Sequence, residues 1–144
     1  MSIAQLDEQL CFALYSASNS LTRLYRSLLE PLDLTYPQFV VLMALWQEDN
    51  VSITHLAQKT GLAKATMTPL LKRLESKGLI ERQMIEGNER QKNIALTEEG
   101  RELSHKSGDI TDQVFCATTL TQEEAQSMIA ACHQISQAIR NQSS

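Results

Sequence analysis

A chain of 144 residues suffices for one domain of ordinary size and is too short for two comfortable ones. Its 42% hydrophobic and 21% charged residues fit a globular protein and exclude a disordered one; no run approaches the ~20 apolar residues of a bilayer span, and Asp7 and Glu8 interrupt what a secretion signal would need. The formal net charge is −4, yet between Ile53 and Thr97 eight basic residues outnumber four acidic ones, so this segment carries +4 and the remainder −8. A basic module inside an acidic chain is either an electrostatic footprint for phosphate or a solvated basic face. A cytoplasmic location is expected, with the three cysteines mostly reduced; their odd number fits poorly with a secreted disulfide framework.

Leu6, Leu10, Leu14, Leu21, Leu24 and Leu28 recur at helical spacing and predict a long amphipathic helix over about 5–30, ended by Pro31. Thr35 and Gln38 form a capping box for the next helix, with Pro37 tolerated in its first turn. The run Phe39 to Trp46 is apolar on every side and predicts a central core helix, Trp46 included. A short helix follows Ser52, carrying Ile53, Leu56 and Ala57, and stops at Gly61; another runs from about Lys64 to Lys77 and ends at Gly78. Two short helices joined by a tight glycine-containing turn are a helix-turn-helix.

Leu79 to Ile85 reads as a strand, Glu86-Gly87-Asn88-Glu89 as a turn and Lys92 to Leu96 as the returning strand, a hairpin wing. Thr97 caps a further helix with Glu98 and Glu99 in its first turn. Thr121 and Glu124 box the start of a last helix, which bears Ala125, Met128, Ile129, Cys132, Ile135 and Ile139 on one stripe. The tail Asn141 to Ser144 is expected to fray. Apolar-striped helices at both ends of a small module need a partner surface. The expectation is therefore a mainly α, winged helix-turn-helix fold with a small β-hairpin wing. One domain spans 1–144, with a winged module at about 53–97 and a homodimer formed through helices at about 5–30 and 98–140.

The segment Thr66-Met67-Thr68-Pro69-Leu70-Leu71-Lys72-Arg73-Leu74-Glu75, then Gly78-Leu79-Ile80 and Asn88-Glu89-Arg90, resembles the MarR family. The resemblance implies a dimer whose two recognition helices enter successive major grooves of a pseudo-palindromic, double-stranded DNA operator. Independently of it, the hydroxyls of Thr66 and Thr68 can bond base edges or phosphate and their methyls can meet thymine. Lys64, Lys72 and Arg73 suit phosphate contacts that position without specifying. Arg90 resembles the family's wing arginine, which reaches into the negative minor groove. Plainer readings stand beside these: Thr66 serving its own backbone, Lys72 and Arg73 as solvated charges. Two departures touch DNA reading. Asn88 stands where the family usually has aspartate, and Ala63-Lys64-Ala65 enters the recognition helix where hydroperoxide-sensing members often have Asp-Ser-Gly. Alanine is a poor cap, and a lysine at a helix start opposes the dipole; altered operator preference is expected.

Leu10-Cys11-Phe12-Ala13-Leu14-Tyr15, Leu24-Tyr25 and Leu34-Thr35-Tyr36-Pro37-Gln38 resemble the hydroperoxide-sensing, OhrR-type branch of that family. There the cysteine is the peroxide-reactive thiol, and two tyrosines of the partner subunit hydrogen-bond its sulfur. Carried over, these are Cys11, Tyr25 and Tyr36, with Tyr15 close by. Only the thiolate attacks a peroxide; phenol donors and a helix's positive end favour the charged sulfur, and Phe12 and Leu14 would admit an organic peroxide. A sulfenic acid so formed can be trapped by a second thiol. Cys116 matches the resolving position of the two-cysteine subclass, and the resemblance implies an intersubunit disulfide with Cys11.

A buried free cysteine is commonly inert, so Cys116 can also be read as a small packing residue and the tyrosines as interface residues. Cys132 reads as core on its stripe. His55, His105 and His133 show no zinc-site spacing, and no metal or cofactor is expected. The reading that follows is a transcriptional repressor, not an enzyme, released from its operator by organic hydroperoxide. One alternative is a regulator released by a small aromatic ligand without redox chemistry; a remote one is a thiol peroxidase, which would leave the winged module unexplained.

Overall fold

The computed structural model describes residues 2–85 and 88–143, without the side chains of 85 and 88–91. Glu86 and Gly87 of the expected turn, and the side chains of Asn88 and Arg90, therefore lie outside the described residues. The chain divides into two compact units, one ending at Thr111 and one beginning at Asp112.

The first unit opens with a 3-10 turn at Leu6–Glu8. Gln9 then takes an extended conformation, so α1 (Leu10–Leu29) starts later than the leucine spacing predicts. A 3-10 turn and an α-turn place apolar residues at nearly the same spacing, which is why periodicity ran through the break. Pro31 falls in a second 3-10 turn, Glu30–Leu32, and Asp33 adopts the left-handed conformation at φ 55°. That lets the Leu34 N–H reach back to the Leu29 carbonyl at 3.3 Å and close the end of α1.

The capping box holds as expected for α2 (Tyr36–Gln47). Thr35 Oγ1 accepts from the Gln38 N–H at 3.3 Å, and Gln38 Oε1 accepts from the Thr35 N–H at 3.1 Å. Four of the α2 apolar side chains, Phe39, Val41, Leu42 and Leu45, are fully enclosed. Ser52 caps α3 (Ile53–Thr60), and Gly61 ends it at φ 75°. The next helix, α4 (Lys64–Ser76), begins on Ala63 with no side-chain cap and gives way to Gly78 at φ 77°.

A strand that the sequence did not announce, β1 (Val51–Ser52), pairs with β3 (Asn88–Leu96), which pairs antiparallel with β2 (Ile80–Ile85); the order is β1-β3-β2. Val51 faces Ile94 and Ile80 faces Leu96 in register, with a shift between Met84 and Ile85. Two residues carry no periodicity, so β1 exists only through its partner. The returning strand also begins earlier than Lys92, at Asn88. Leu29, Phe39, Leu42, Leu45, Leu56, Met67, Leu71, Leu74, Ile80 and Ile94 form one enclosed apolar cluster to which helices and sheet contribute together.

The helix capped by Thr97 is broken in two, α5 (Glu98–Glu102) and α6 (Ser104–Thr118). Half-buried Trp46 donates from Nε1 to the Gly100 carbonyl at 2.9 Å, drawing on an acceptor that a continuous helix would offer to Ser104. A Cβ on Gly100 would sit 2.1 Å from the Leu79 carbonyl oxygen, so only glycine permits this approach. Trp46 thus lies at the edge of the core and not within it.

In the second unit, Thr121 and Glu124 cap α7 (Gln122–Ser143) reciprocally at 2.9 and 3.1 Å. The tail expected to fray is helical as far as Ser143. No residue of α7 is buried. Met128, Ile129, Ile135 and Ile139 are exposed, and so is Cys132. The expected core role of Cys132 is therefore corrected: its side chain is exposed.

Candidate functional site

Helix α4 presents two faces. Met67, Leu70, Leu71 and Leu74 are buried, while Lys64, Ala65, Thr66, Thr68, Pro69, Lys72 and Arg73 are exposed. All five described DNA-contact candidates thus share the outer side, and from Lys64 to Arg73 it runs about 14 Å at helical rise, comparable with the width of a major groove. Thr68 is exposed, and its Oγ1 donates to the Lys64 carbonyl at 3.2 Å, so its proton serves the helix. Thr66 lies in the first turn, where its own N–H bonds the Ala63 carbonyl at 3.0 Å.

The wing is fastened to α4 by Arg82, whose Nε lies 3.8 Å from a Glu75 carboxylate oxygen. His55 pairs with Glu48 at 3.0 Å. No group of three or more His, Cys, Asp or Glu side chains able to hold a metal occurs among the described residues.

The late start of α1 gives Cys11 a new setting. It is exposed and sits second in the helix, within its first turn. Tyr15, one turn on along the same face, is 65% exposed. Tyr25 lies fourteen residues beyond Cys11 on the same helix, about 21 Å along its axis. Tyr25 and Tyr36 do meet each other: their ring centroids are 4.5 Å apart, and Tyr25 continues to Phe39 at 5.9 Å and Phe39 to Trp46 at 5.8 Å. Burial raises the pKa of both phenols, and for Tyr25 the neighbouring Tyr36 adds to it. Both are therefore protonated donors at neutral pH. One chain thus brings the two tyrosines together and keeps Cys11 well away from them. Cys116, in the second unit, is exposed near the end of α6.

Sequence reasoning missed the joint formed by Lys77, Asp33 and Gln38. Lys77 Nζ donates to the Gln38 side-chain oxygen at 3.1 Å and to the Asp33 carbonyl, and it pairs with the Asp33 carboxylate at 3.7 Å. Gln38 was legible as a cap, but a separation of 39 residues leaves no local signal for the lysine.

A family model described as MarR family matches residues 34–92, from the corner after α1 into β3. The HTH-type transcriptional regulator TtmR of Methylorubrum extorquens is 42% identical over 124 residues, 86% of this chain, and this chain spans 64% of that relative's length. The organic hydroperoxide resistance transcriptional regulator of Bacillus subtilis is 36% identical over 90% of this chain and 88% of its own. Among solved structures, reduced AbfR bound to DNA superposes with a TM-score of 0.78 at 28% identity, over 96% of this chain and 95% of the other. AbfR, of Staphylococcus epidermidis, has also been solved with its disulfide formed, at a TM-score of 0.66 and 29% identity over 90% and 92% of the two chains.

Proposed function

Because this chain belongs to the MarR family of winged-helix transcriptional regulators, we propose that it is a homodimeric repressor that leaves its operator when organic hydroperoxide oxidises Cys11. Lys64, Thr66, Thr68, Lys72 and Arg73 would read and grip the DNA from α4, with Arg90 entering the minor groove from the wing. The observation that carries the redox part is the separation within α1. Cys11 stands exposed at the helix start, and Tyr25, whose ring meets that of Tyr36, lies about 21 Å further along the helix axis. A second chain would supply the Tyr25 and Tyr36 phenols to this sulfur, as the family resemblance implies. The hydroperoxide regulator and AbfR among its relatives support the same reading.

The chemistry balances without a cofactor. The Cys11 thiolate attacks the outer peroxide oxygen, the O–O bond breaks and the alkoxide leaves to be protonated to an alcohol. The sulfur is oxidised by two electrons to a sulfenic acid. The thiol of Cys116 of the partner subunit then attacks that sulfur, expelling water and closing a disulfide. Either oxidised form removes the thiolate that the phenols would hold, and resetting the two wings changes half-site spacing.

The test is an electrophoretic mobility shift with reduced protein, with and without cumene hydroperoxide. Wild type is expected to release DNA on oxidation and Cys11→Ser to stay bound; equal responses would sink the sensor reading. Non-reducing electrophoresis is expected to show a band at twice the chain mass, lost in Cys11→Ser and in Cys116→Ser.

A second reading has one observation in its favour, an open cleft of about 530 Å³ between α2, α3 and α6. Val40, Met43 and Trp46 line it, with Lys59 at its side. It would suit an aromatic acid. Release of DNA by phenolic acids from Cys11→Ser protein would favour it.

A further inference from the structure

The Lys77 joint is used by neither the DNA-reading face nor the thiol chemistry; it fastens the end of α4 to the corner between α1 and α2. Lys77 is the residue that ends α4, its N–H bonded to the Arg73 carbonyl at 3.0 Å. Its ammonium meets the corner between α1 and α2 at the Asp33 carbonyl, the Asp33 carboxylate and Gln38 Oε1. The carboxylate is 92% exposed, so that ion pair contributes little. The Gln38 contact differs in kind, because Gln38 is only 3% exposed and its oxygen serves two donors: the Thr35 N–H that starts α2 and the Lys77 ammonium. Tyr36 is the first residue of α2, held between the two halves of that capping box. Its ring is the one that meets Tyr25, centroid to centroid at 4.5 Å.

We propose that Lys77 is a positioning residue: by sharing the Gln38 oxygen with the α2 cap, it couples the setting of the recognition helix α4 to the Tyr25–Tyr36 pair. The proposal rests on the DNA-binding reading above and deepens it. A shift of α4 along its axis carries the ammonium with it. The buried Gln38 oxygen must then either follow, turning the first turn of α2 and the Tyr36 ring, or lose a charge-assisted hydrogen bond. The second course costs more than loss of a surface contact, because the acceptor is enclosed. An open cleft of about 310 Å³, bounded by Arg26, Glu30 and Leu34, flanks the joint, so the ammonium can move without displacing core side chains. By linkage the coupling runs both ways: what moves the tyrosines biases α4, and DNA held by α4 biases the tyrosines.

The test reads the tyrosines while DNA binds. Full-length protein carrying 3-fluorotyrosine is followed by fluorine NMR, with resonances assigned through Tyr25→Phe and Tyr36→Phe. The titrant is a duplex selected from a random pool by the reduced wild-type protein, and binding is measured in parallel by anisotropy. The Tyr36 resonance is expected to move on DNA addition in wild type. In Lys77→Met that movement is expected to vanish while DNA affinity stays within about threefold. Asp33→Asn, which keeps the backbone carbonyl and a residue tolerant of the left-handed conformation, is expected to retain the movement. Lys77→Gln, neutral but still a donor, provides the same reading with an attenuated shift if the methionine variant does not fold. A Tyr36 resonance indifferent to DNA in wild type, or equally responsive without the ammonium, overturns the coupling. Failure of the wild-type protein to bind any duplex in the anisotropy measurement overturns the DNA-binding reading itself, and the coupling with it.

Discussion

Burial raises the pKa of Tyr25 and Tyr36 above the ordinary phenol value of 10.0, and the consequence for stability has a definite sign. An acid harder to ionise when folded binds more protons in the native than in the unfolded state near pH 10. The stabilisation is therefore complete below the unfolded value and is lost as pH climbs through the folded one. Denaturant melts between pH 9 and 11 are expected to show stability falling with pH, with a shallower fall in Tyr36→Phe; equal slopes would remove the effect. Gly100 makes a second argument at this scale. A methyl there would meet the Leu79 carbonyl at 2.1 Å, and both groups belong to backbone that cannot swing aside. Gly100→Ala is expected to cost about 1–3 kcal/mol, measured by urea denaturation. Thr35→Ala removes the cap that Gln38 completes and is expected to cost about 1 kcal/mol.

Each helix that starts well in the sequence starts where a side chain can accept an N–H, as at Thr35, Ser52, Thr97 and Thr121. Helices α1 and α4 lack such a cap, α1 beginning on Gln9 and α4 on Ala63, whose side chain has no acceptor at all. Ala63→Ser is expected to stabilise the protein by about 1 kcal/mol, seen as a raised melting midpoint. If α4 enters DNA as proposed, this site is near the contact, and operator affinity should change as well. The elements also show why the sequence was legible in some places and opaque in others. Caps, glycine stops and apolar stripes act within four residues, so the start of α2, the bounds of α3 and α4 and the existence of the hairpin could be read directly. The α5–α6 break could not, because it arises where Trp46 bonds Gly100, 54 residues away. The two-residue β1 was hidden for the same reason, since it has no pattern of its own and is defined by its pairing with Ile94 and Asn93.

For the molecule as a whole, the decisive feature is apolar surface that one chain leaves uncovered. Leu6 and Leu10 near the start and Ile129, Ile135 and Ile139 near the end are exposed, and helices with such stripes are covered by a partner in a stable protein. Ile135→Asp together with Ile139→Asp is expected to yield a monomer in sedimentation at micromolar concentration and to abolish tight operator binding, since each half-site would then be held alone. A double variant that remained a dimer would place the interface elsewhere. Salt adds an independent check on the DNA face. Lys72→Ala should weaken binding about uniformly across sequences and reduce the salt slope by about one, whereas Thr66→Ala should change which sequence is preferred.

The sequence by itself determined the fold class, the order of the helices, the hairpin and the outward set Lys64, Thr66, Thr68, Lys72 and Arg73. All of these follow from short-range periodicity and capping, which a local segment carries with it. The tertiary structure alone decided that α1 begins at Leu10, which puts Cys11 in its first turn, and that the Tyr25 and Tyr36 rings meet each other far from that thiol. It also decided that Cys132 is exposed and that Lys77 closes on Gln38. Those facts depend on which distant residues share a surface, and backbone breaks such as Gln9 shift positions that periodicity treats as continuous.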